Sequence, residues 1–337
     1  MTNWEYWPMF LSNLPLVPIW LWFAIRAREA FFFSAVNPVI ETGGLWGESK
    51  YNILRRIPAE HLPQTMFVPA DRPREEVLSA IEAAGYTYPL IVKPDVGERG
   101  FLVARLESRE ELEGYLARYR LDLIVQEYVP GPLEIAVMYH RFPGERRGAV
   151  TSVCLKETLR VKGDGVTTVA GLLAKDPRGR LQRERLAQAR PTLMSSVPEA
   201  GRVVEVEPIG NHSRGTKFLN GNHHIDAVLS GIFDGIACRM EDIHYGRFDI
   251  RCVSLEDLRA GRGFRILEFN GVGGEPAHIY DPSFPVLRKY RDIYRHWRII
   301  YEIYRRQVRV GVRGMTFHEA WHQYKRYSHY KKRVGVS

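Results

Sequence analysis

The chain has 337 residues, 45% of them hydrophobic and 26% charged, which excludes a disordered chain and leaves room for two or three ordinary domains. Its three cysteines, Cys154, Cys238 and Cys252, lie far apart, with no CxxC pair and no His at zinc spacing; this excludes a disulfide framework or a zinc site and predicts buried thiols in a reducing compartment. The net charge of +9 is concentrated at one end: residues 285–337 carry 14 Lys or Arg against 3 Asp or Glu, a local +11, while residues 1–284 carry 34 against 36.

Residues 1–42 form an apolar segment with four of the seven tryptophans (Trp4, Trp7, Trp20 and Trp22) and no charge between Glu5 and Arg26. Its apolar run, residues 10–25, is broken by Pro15 and Pro18 and falls short of the roughly 20 residues a membrane-spanning helix needs. It also lacks the cationic start and small-residue cleavage site of a secretory signal. Two readings stand: a segment lying in the membrane interface, helped by Arg26, Arg28 and the basic tail, or one packed on the protein body. A turn-rich passage from Asn37 to Gly44 ends the segment. Residues 49–57 read as a short helix stopped by Pro58, and residues 74–84 as a helix ended by Gly85. Strands are expected at 89–93, 101–106 and 123–128, with a helix capped by Ser108 reaching about Tyr119. Further strands are expected at 134–139 and 149–153, then at 248–253 and 264–269. A basic, aromatic helix or helix pair follows from 285 to 310. The mixture predicts an α+β or mixed α/β architecture.

Three places along this pattern carry chemistry. Lys93 ends an apolar strand and precedes a loop with Gly97, Arg99 and Gly100, where backbone N–H groups can approach a phosphate closely. A solvated lysine beside a plain turn would leave the same trace. Next, the strand at 123–128 runs through Glu127 into a linker at Val129, and Glu134 opens the following strand. Such an edge can offer backbone groups to an adenine ring and a carboxylate to ribose hydroxyls, although a surface hairpin with two acids reads alike. Third, Arg247, Asp249 and Arg251 alternate on one strand, and Glu268 and Asn270 on another. Residues two apart in a strand share a face. Adjacent strands would thus place three oxygen ligands beside two arginines, a set suited to a hard cation and the phosphates it accompanies.

Taken in order, these elements resemble the ATP-grasp superfamily, most nearly the D-alanine–D-alanine ligase, glutathione synthetase and cyanophycin synthetase group, over roughly residues 43–282. The resemblance implies an ATP-grasp fold of two α+β subdomains clasping ATP, here residues 43–132 (lid) and 133–284 (metal-bearing). The apolar segment 1–42 precedes them and a basic helical tail, residues 285–337, follows. It implies nucleotide contacts from Lys50, Lys93, Gly97, Arg99, Gly100, Glu127, Val129 and Glu134, and Mg²⁺ or Mn²⁺ on Asp249, Glu268 and Asn270. Arg247, Arg251 and Lys156, the last standing seven before Gly163-Asp164-Gly165, are implied to serve phosphoryl transfer. The implied activity is an ADP-forming carboxylate–amine ligase working through an acyl phosphate on small-molecule substrates. An ATP-grasp kinase or a non-catalytic ATP-binding membrane module is the alternative. The chain departs from the family in its short apolar start, where a separate first domain is usual, and in the loop after Asn270, where Glu275, His278 and Tyr280 become acceptor-side candidates. His212 and the pair His223 and His224 read as a substrate loop and not as a metal site. The expected location is cytoplasmic, peripheral to the inner membrane face. Nucleic acid is not an expected partner, and the long basic helix is a candidate homodimer surface.

Overall fold

Alternating side chains build two antiparallel sheets that face one another across a cleft. The computed structural model describes residues 14–98 and 100–333, so Trp4, Trp7 and Arg99 lie outside the described residues. After α1 (Leu16–Ala27) and α2 (Lys50–Leu54), the first sheet contains β1 (Thr65–Val68), β2 (Leu90–Pro94), β3 (Ala104–Leu106) and β4 (Leu123–Glu127) in the order β1-β4-β2-β3. Helices α3 (Arg74–Ala83) and α4 (Arg109–Arg118) cover one face. Ser108 caps α4 by accepting from the Glu111 N–H. Leu90 and Val92 enter the core under these helices with Val77, Ile81 and Leu112, so the period of two turns Lys93 to the opposite face. The expected strand at 101–106 begins only at Ala104, because Leu102 adopts a left-handed φ of 53° inside the preceding loop.

The second sheet is five-stranded. It contains β5 (Leu133–His140), β6 (Ala149–Glu157), β9 (Lys217–Asn220), β10 (Tyr245–Cys252) and β11 (Phe264–Asn270), in the order β11-β10-β5-β6-β9. Phe248, Ile250 and Cys252 of β10 pack in a core with Phe233 and Ile236 of α8 (Ala227–Ala237), which leaves Arg247, Asp249 and Arg251 facing the cleft. A bulge decides the neighbouring strand. Asp249 pairs with Glu268 but Ile250 pairs with Ile266, so Leu267 is the extra residue. An unbroken period would put Ile266 on the face of Glu268 and Asn270; the bulge sends Ile266 into the core and keeps the other two toward the cleft.

Much of residues 172–247 lacks a readable period, and the structure fills it with a satellite layer. The ribbon of β7 (Leu159–Lys162) and β8 (Val203–Glu207) packs with α5 (Val169–Lys175), α6 (Pro177–Ala189) and α7 (Pro191–Ser195). The charge-rich α6 buries only Gly179, Gln182 and Leu186, too sparse a stripe to announce a helix. After α9 (Leu255–Arg259), the basic tail is two separate helices, α10 (Val286–Arg309) and α11 (Phe317–Arg333). The aromatic side of α10 packs within its own chain: Trp297 and Tyr304 lie 6.0 and 5.7 Å from Phe32, and Tyr301 5.2 Å from Phe23. That side is therefore covered within the chain. Cys154 and Cys252 are buried, whereas Cys238, expected inside, is exposed. The fold is α+β, and among the described residues no helix is long and apolar enough to cross a membrane.

Phe233 is fully buried, 5.3 Å from Phe248. Phe233→Ala is expected to cost about 3–5 kcal/mol, seen as a lower denaturant midpoint at unchanged slope.

Candidate active site

Between the sheets lies a cleft of about 530 Å³. Every described residue expected to contact the nucleotide, the metal or the transferred phosphoryl group lines it: Lys50, Lys93, Gly97, Gly100, Glu127, Val129, Glu134, Lys156, Arg247, Asp249, Arg251, Glu268 and Asn270. Its floor is the face of the five-stranded sheet. There, Glu134 stands opposite both Lys156 and Arg251, Arg247 opposite Asn270, and Asp249 opposite Glu268.

These registers make a buried line of alternating charge. Arg251 Nη2 donates to Glu134 at 2.9 Å, and Lys156 Nζ bridges Glu134 at 3.0 Å and Asp249 at 3.2 Å. Arg247 grips Asp249 with two bonds of 3.1 Å. Burial works against every one of these charges, yet the opposite neighbours prevail. Arg247 and Lys156 hold the Asp249 carboxyl below its ordinary range, Lys156 and Arg251 do the same for Glu134, and Asp249 and Glu134 hold Lys156 above its own. Glu134 is thus committed to two cations, and Arg251 also clasps the backbone, donating to the Val129 carbonyl at 3.2 Å and the Pro208 carbonyl at 3.3 Å.

The first sheet supplies the roof. Lys93 Nζ donates to Gln126 Oε1 at 3.2 Å and, across the cleft, to the Leu267 carbonyl at 3.0 Å. The bulge is what presents that carbonyl. Burial pushes the Lys93 ammonium down to about 8, with Glu268 opposing the shift and Lys50 adding to it. Lys50 opens α2, which docks where the Tyr51 N–H donates to Asp95 at 2.8 Å; its Nζ donates to the Gly97 carbonyl. Gly97 and Gly100 have φ of 152° and 70°, a region that favours glycine.

A hard cation would find a matching donor set here. Asn270 Nδ2 donates to Asp249 Oδ2 at 3.1 Å, and Glu268 stands beside them with no ion pair among the described residues. Glu48 Oε2, also in the cleft, is buried without a hydrogen-bond partner among the described residues, and burial raises its carboxyl above the ordinary range. Two carboxylates with an amide, and a third acid nearby, are oxygen donors suited to Mg²⁺ or Mn²⁺. No group of three or more His, Cys, Asp or Glu suited to a metal occurs among the described residues, so ligand phosphates would have to complete the shell.

Several lining residues had no clear signal in the sequence. Glu48 sits two before Lys50, and Gln126 orients Lys93 while bonding Thr65 at 3.0 Å. The loop 208–213 closes over Glu134, and a Cβ on Gly210 would overlap that carboxylate. Arg214 donates to the carbonyls of Gly100 and Val103. From α11, Tyr327 donates to Glu98 at 2.7 Å and Tyr330 to the Val96 carbonyl at 2.6 Å, so the glycine loop is held from both sides. Beyond Asn270, Glu275 and Tyr280 line the cleft and bond to each other, with Arg247 Nη1 donating to the Glu275 carbonyl at 3.1 Å. His212 joins them, 5.5 Å from both the Phe218 and Tyr280 rings, and burial pushes its imidazole down to about 4. His278 is instead 1% exposed, held between Ser152 and Asp292. The rings of His223 and His224 lie 4.0 Å apart, tilted by 46°, away from the cleft lining.

No family model and no curated protein matches the chain. Among solved structures it is similar to a bifunctional glutathione synthetase from Pasteurella multocida, at 16% identity and TM-score 0.36, covering 74% of this chain and 36% of that one. It is also similar to a D-Ala:D-Ser ligase from Enterococcus faecalis, at 14% and 0.45, covering 79% and 63%. A D-alanine–D-alanine ligase from Bacillus anthracis gives 13% and 0.43, covering 80% and 70%. The chain spans less than two thirds of the length of the first two, and at these scores the site's own geometry carries the functional reading.

Lys156→Met would leave Glu134 and Asp249 buried without their shared cation. The expected loss is about 3–5 kcal/mol of stability, measured by chemical denaturation.

Proposed function

We propose that this protein binds ATP with Mg²⁺ or Mn²⁺ in the cleft and transfers the γ-phosphoryl group to a small-molecule carboxylate, and that an amine then displaces phosphate from the acyl phosphate. The observation that carries the reading is the meeting of Lys50 from α2 and Lys93 from the first sheet with Asp249, Glu268 and Asn270 from the second around one cleft. Five cations (Lys50, Lys93, Lys156, Arg247 and Arg251) share the cleft lining with seven carboxylates (Glu48, Glu98, Glu127, Glu134, Asp249, Glu268 and Glu275), a set that suits a polyanion accompanied by its own cation.

Each group has a task in this reading. Lys50, Lys93 and the backbone of the glycine loop take the phosphates. Glu127 and the linker to Val129 border the nucleoside end, with Tyr128 held by Arg105 at 4.2 Å from its ring. Asp249, Glu268 and Asn270 hold the cation, which would screen phosphate charge when bound. Arg247, fixed by Asp249 and the Glu275 carbonyl, stays charged beside the phosphoryl group as charge moves onto the acyl oxygen. Lys156 maintains the floor that aims Asp249. Glu275, Tyr280 and the His212 and Phe218 rings form the acceptor end, where a carboxylate beside aromatic faces suits an ammonium. The chemistry needs no side-chain nucleophile. The thiols of Cys154 and Cys252 agree with this, since burial pushes them up to about 12 and about 11.

The test is a screen of amino acids and acyl donors for ADP release, read by product mass. ADP with an amide product supports the reading, and Glu268→Gln should lower turnover about a hundredfold or more. AMP as product, or a stable phosphate ester formed without amine, would contradict it.

Nucleotide affinity should also depend on pH. Below about 8 Lys93 is charged and meets the phosphates without proton uptake. As pH rises past that point affinity should fall, and Lys93→Met should bind weakly with this dependence removed. Titration calorimetry across the range measures both.

A further inference from the structure

Among the described residues, the large aromatic side chains exposed to solvent are Trp22, Tyr294, Phe317, Trp321 and Tyr324, and all five lie on α1, α10 and α11, outside the cleft lining. Helix α1 is apolar on both sides, unlike an ordinary surface helix. Its inner side buries Phe23 and Ala24 against α10, through ring contacts of Phe23 with Tyr294 and Tyr301 at 5.8 and 5.2 Å. Its outer side, at helical spacing, is Leu14, Val17, Leu21, Trp22 and Ile25, between 44% and 71% exposed. A solvated helix carries polar residues there; here polarity begins only at Arg26 and Arg28.

The end of α1 and the start of α11 come together. The Phe31 and Phe317 rings meet at 5.3 Å, and the backbones of Phe31 and Met315 form a β-bridge. Helix α11 then presents Trp321 stacked on Tyr324, with Lys325 5.2 Å above the Trp321 ring. Helix α11 lies within the +11 segment, residues 285–337, and α1 ends on Arg26 and Arg28.

We infer that this joined face rests on an anionic lipid surface. Helix α1 has 12 residues, about 18 Å, too short to cross a bilayer of about 30 Å but long enough to lie in its interface with the apolar side down. Tryptophan and tyrosine favour that interface, and each Lys or Arg near anionic lipid adds about fivefold to binding. A nucleic-acid backbone would meet the basic residues of α11 but offers nothing to the apolar side of α1. The placement also affects the cleft, because another side of α11 holds the glycine loop through Tyr327 and Tyr330. Only one helix, about 10 Å thick, then separates lipid from that loop.

The test is co-flotation of the full chain with vesicles of phosphatidylcholine, with and without phosphatidylglycerol. The wild type should float with the anionic vesicles, weakly with neutral ones, and be released by salt. Leu21→Glu with Ile25→Glu should lower partitioning about tenfold or more, and Lys325→Glu with Arg326→Glu should lower it and flatten the salt dependence. Unfolding midpoints should stay unchanged, since these side chains are exposed. Equal flotation of wild type and the Leu21/Ile25 variant would overturn the inference. So would equal binding to neutral vesicles, or a lipid-free dimer, seen by light scattering, that the same variant dissociates.

Discussion

The buried line Arg251, Glu134, Lys156, Asp249, Arg247 is the constraint on which the cleft depends. Each charge costs several kcal/mol to take out of water, and an uncompensated member would be strongly destabilising. The sheet can carry the line because the pairing register sets Glu134 opposite both Lys156 and Arg251. Once that register is set, Asp249 has one orientation, Arg247 is fixed beside it, and Glu268 and Asn270 follow on the next strand. The floor is then a rigid arrangement of charge that needs little rearrangement to receive a polyanion, the condition under which electrostatic stabilisation acts most strongly.

The roof is held more lightly, in a way that suits a site that must admit a ligand. Lys93 bonds to the floor strand β11 through a carbonyl that the bulge at Leu267 turns out of the ladder, and Arg251 of β10 reaches back to the Val129 carbonyl. The glycine loop is strapped by Lys50, Arg214 and Tyr330 through its backbone carbonyls. Those contacts fix the position of the loop and leave N–H groups to a ligand. The basic tail is thereby part of the site and is not only an appendage.

Strand alternation made much of this legible. Lys93, Asp249, Glu268 and Asn270 could be placed because a period of two assigns faces without tertiary information, and Ser108 announced its helix through capping chemistry. The rest was hidden for physical reasons. The bulge at Leu267 leaves no mark in composition, although it separates Ile266 from the face of Glu268. Tyr327 and Tyr330 reach the glycine loop from 229 and 234 residues away, and nothing local foretells such contacts. The commitment of Glu134 to Lys156 and Arg251 was equally invisible, because sequence shows that an acid faces a cleft and not what it faces. Helix α6 escaped because its inner stripe is nearly polar. The apolar head allowed two readings, and the structure gives its helix α1 two sides: one packed on α10 and one exposed.

The most direct test of the nucleotide site is a crystal structure with Mg²⁺ and a non-hydrolysable ATP analogue. The geometry predicts phosphate oxygens within hydrogen-bond reach of Lys50 and Lys93, the cation on Asp249, Glu268 and Asn270, and the base beside Glu127 and Val129. An analogue bound elsewhere, or a cleft that stays empty at saturating nucleotide, would contradict the account.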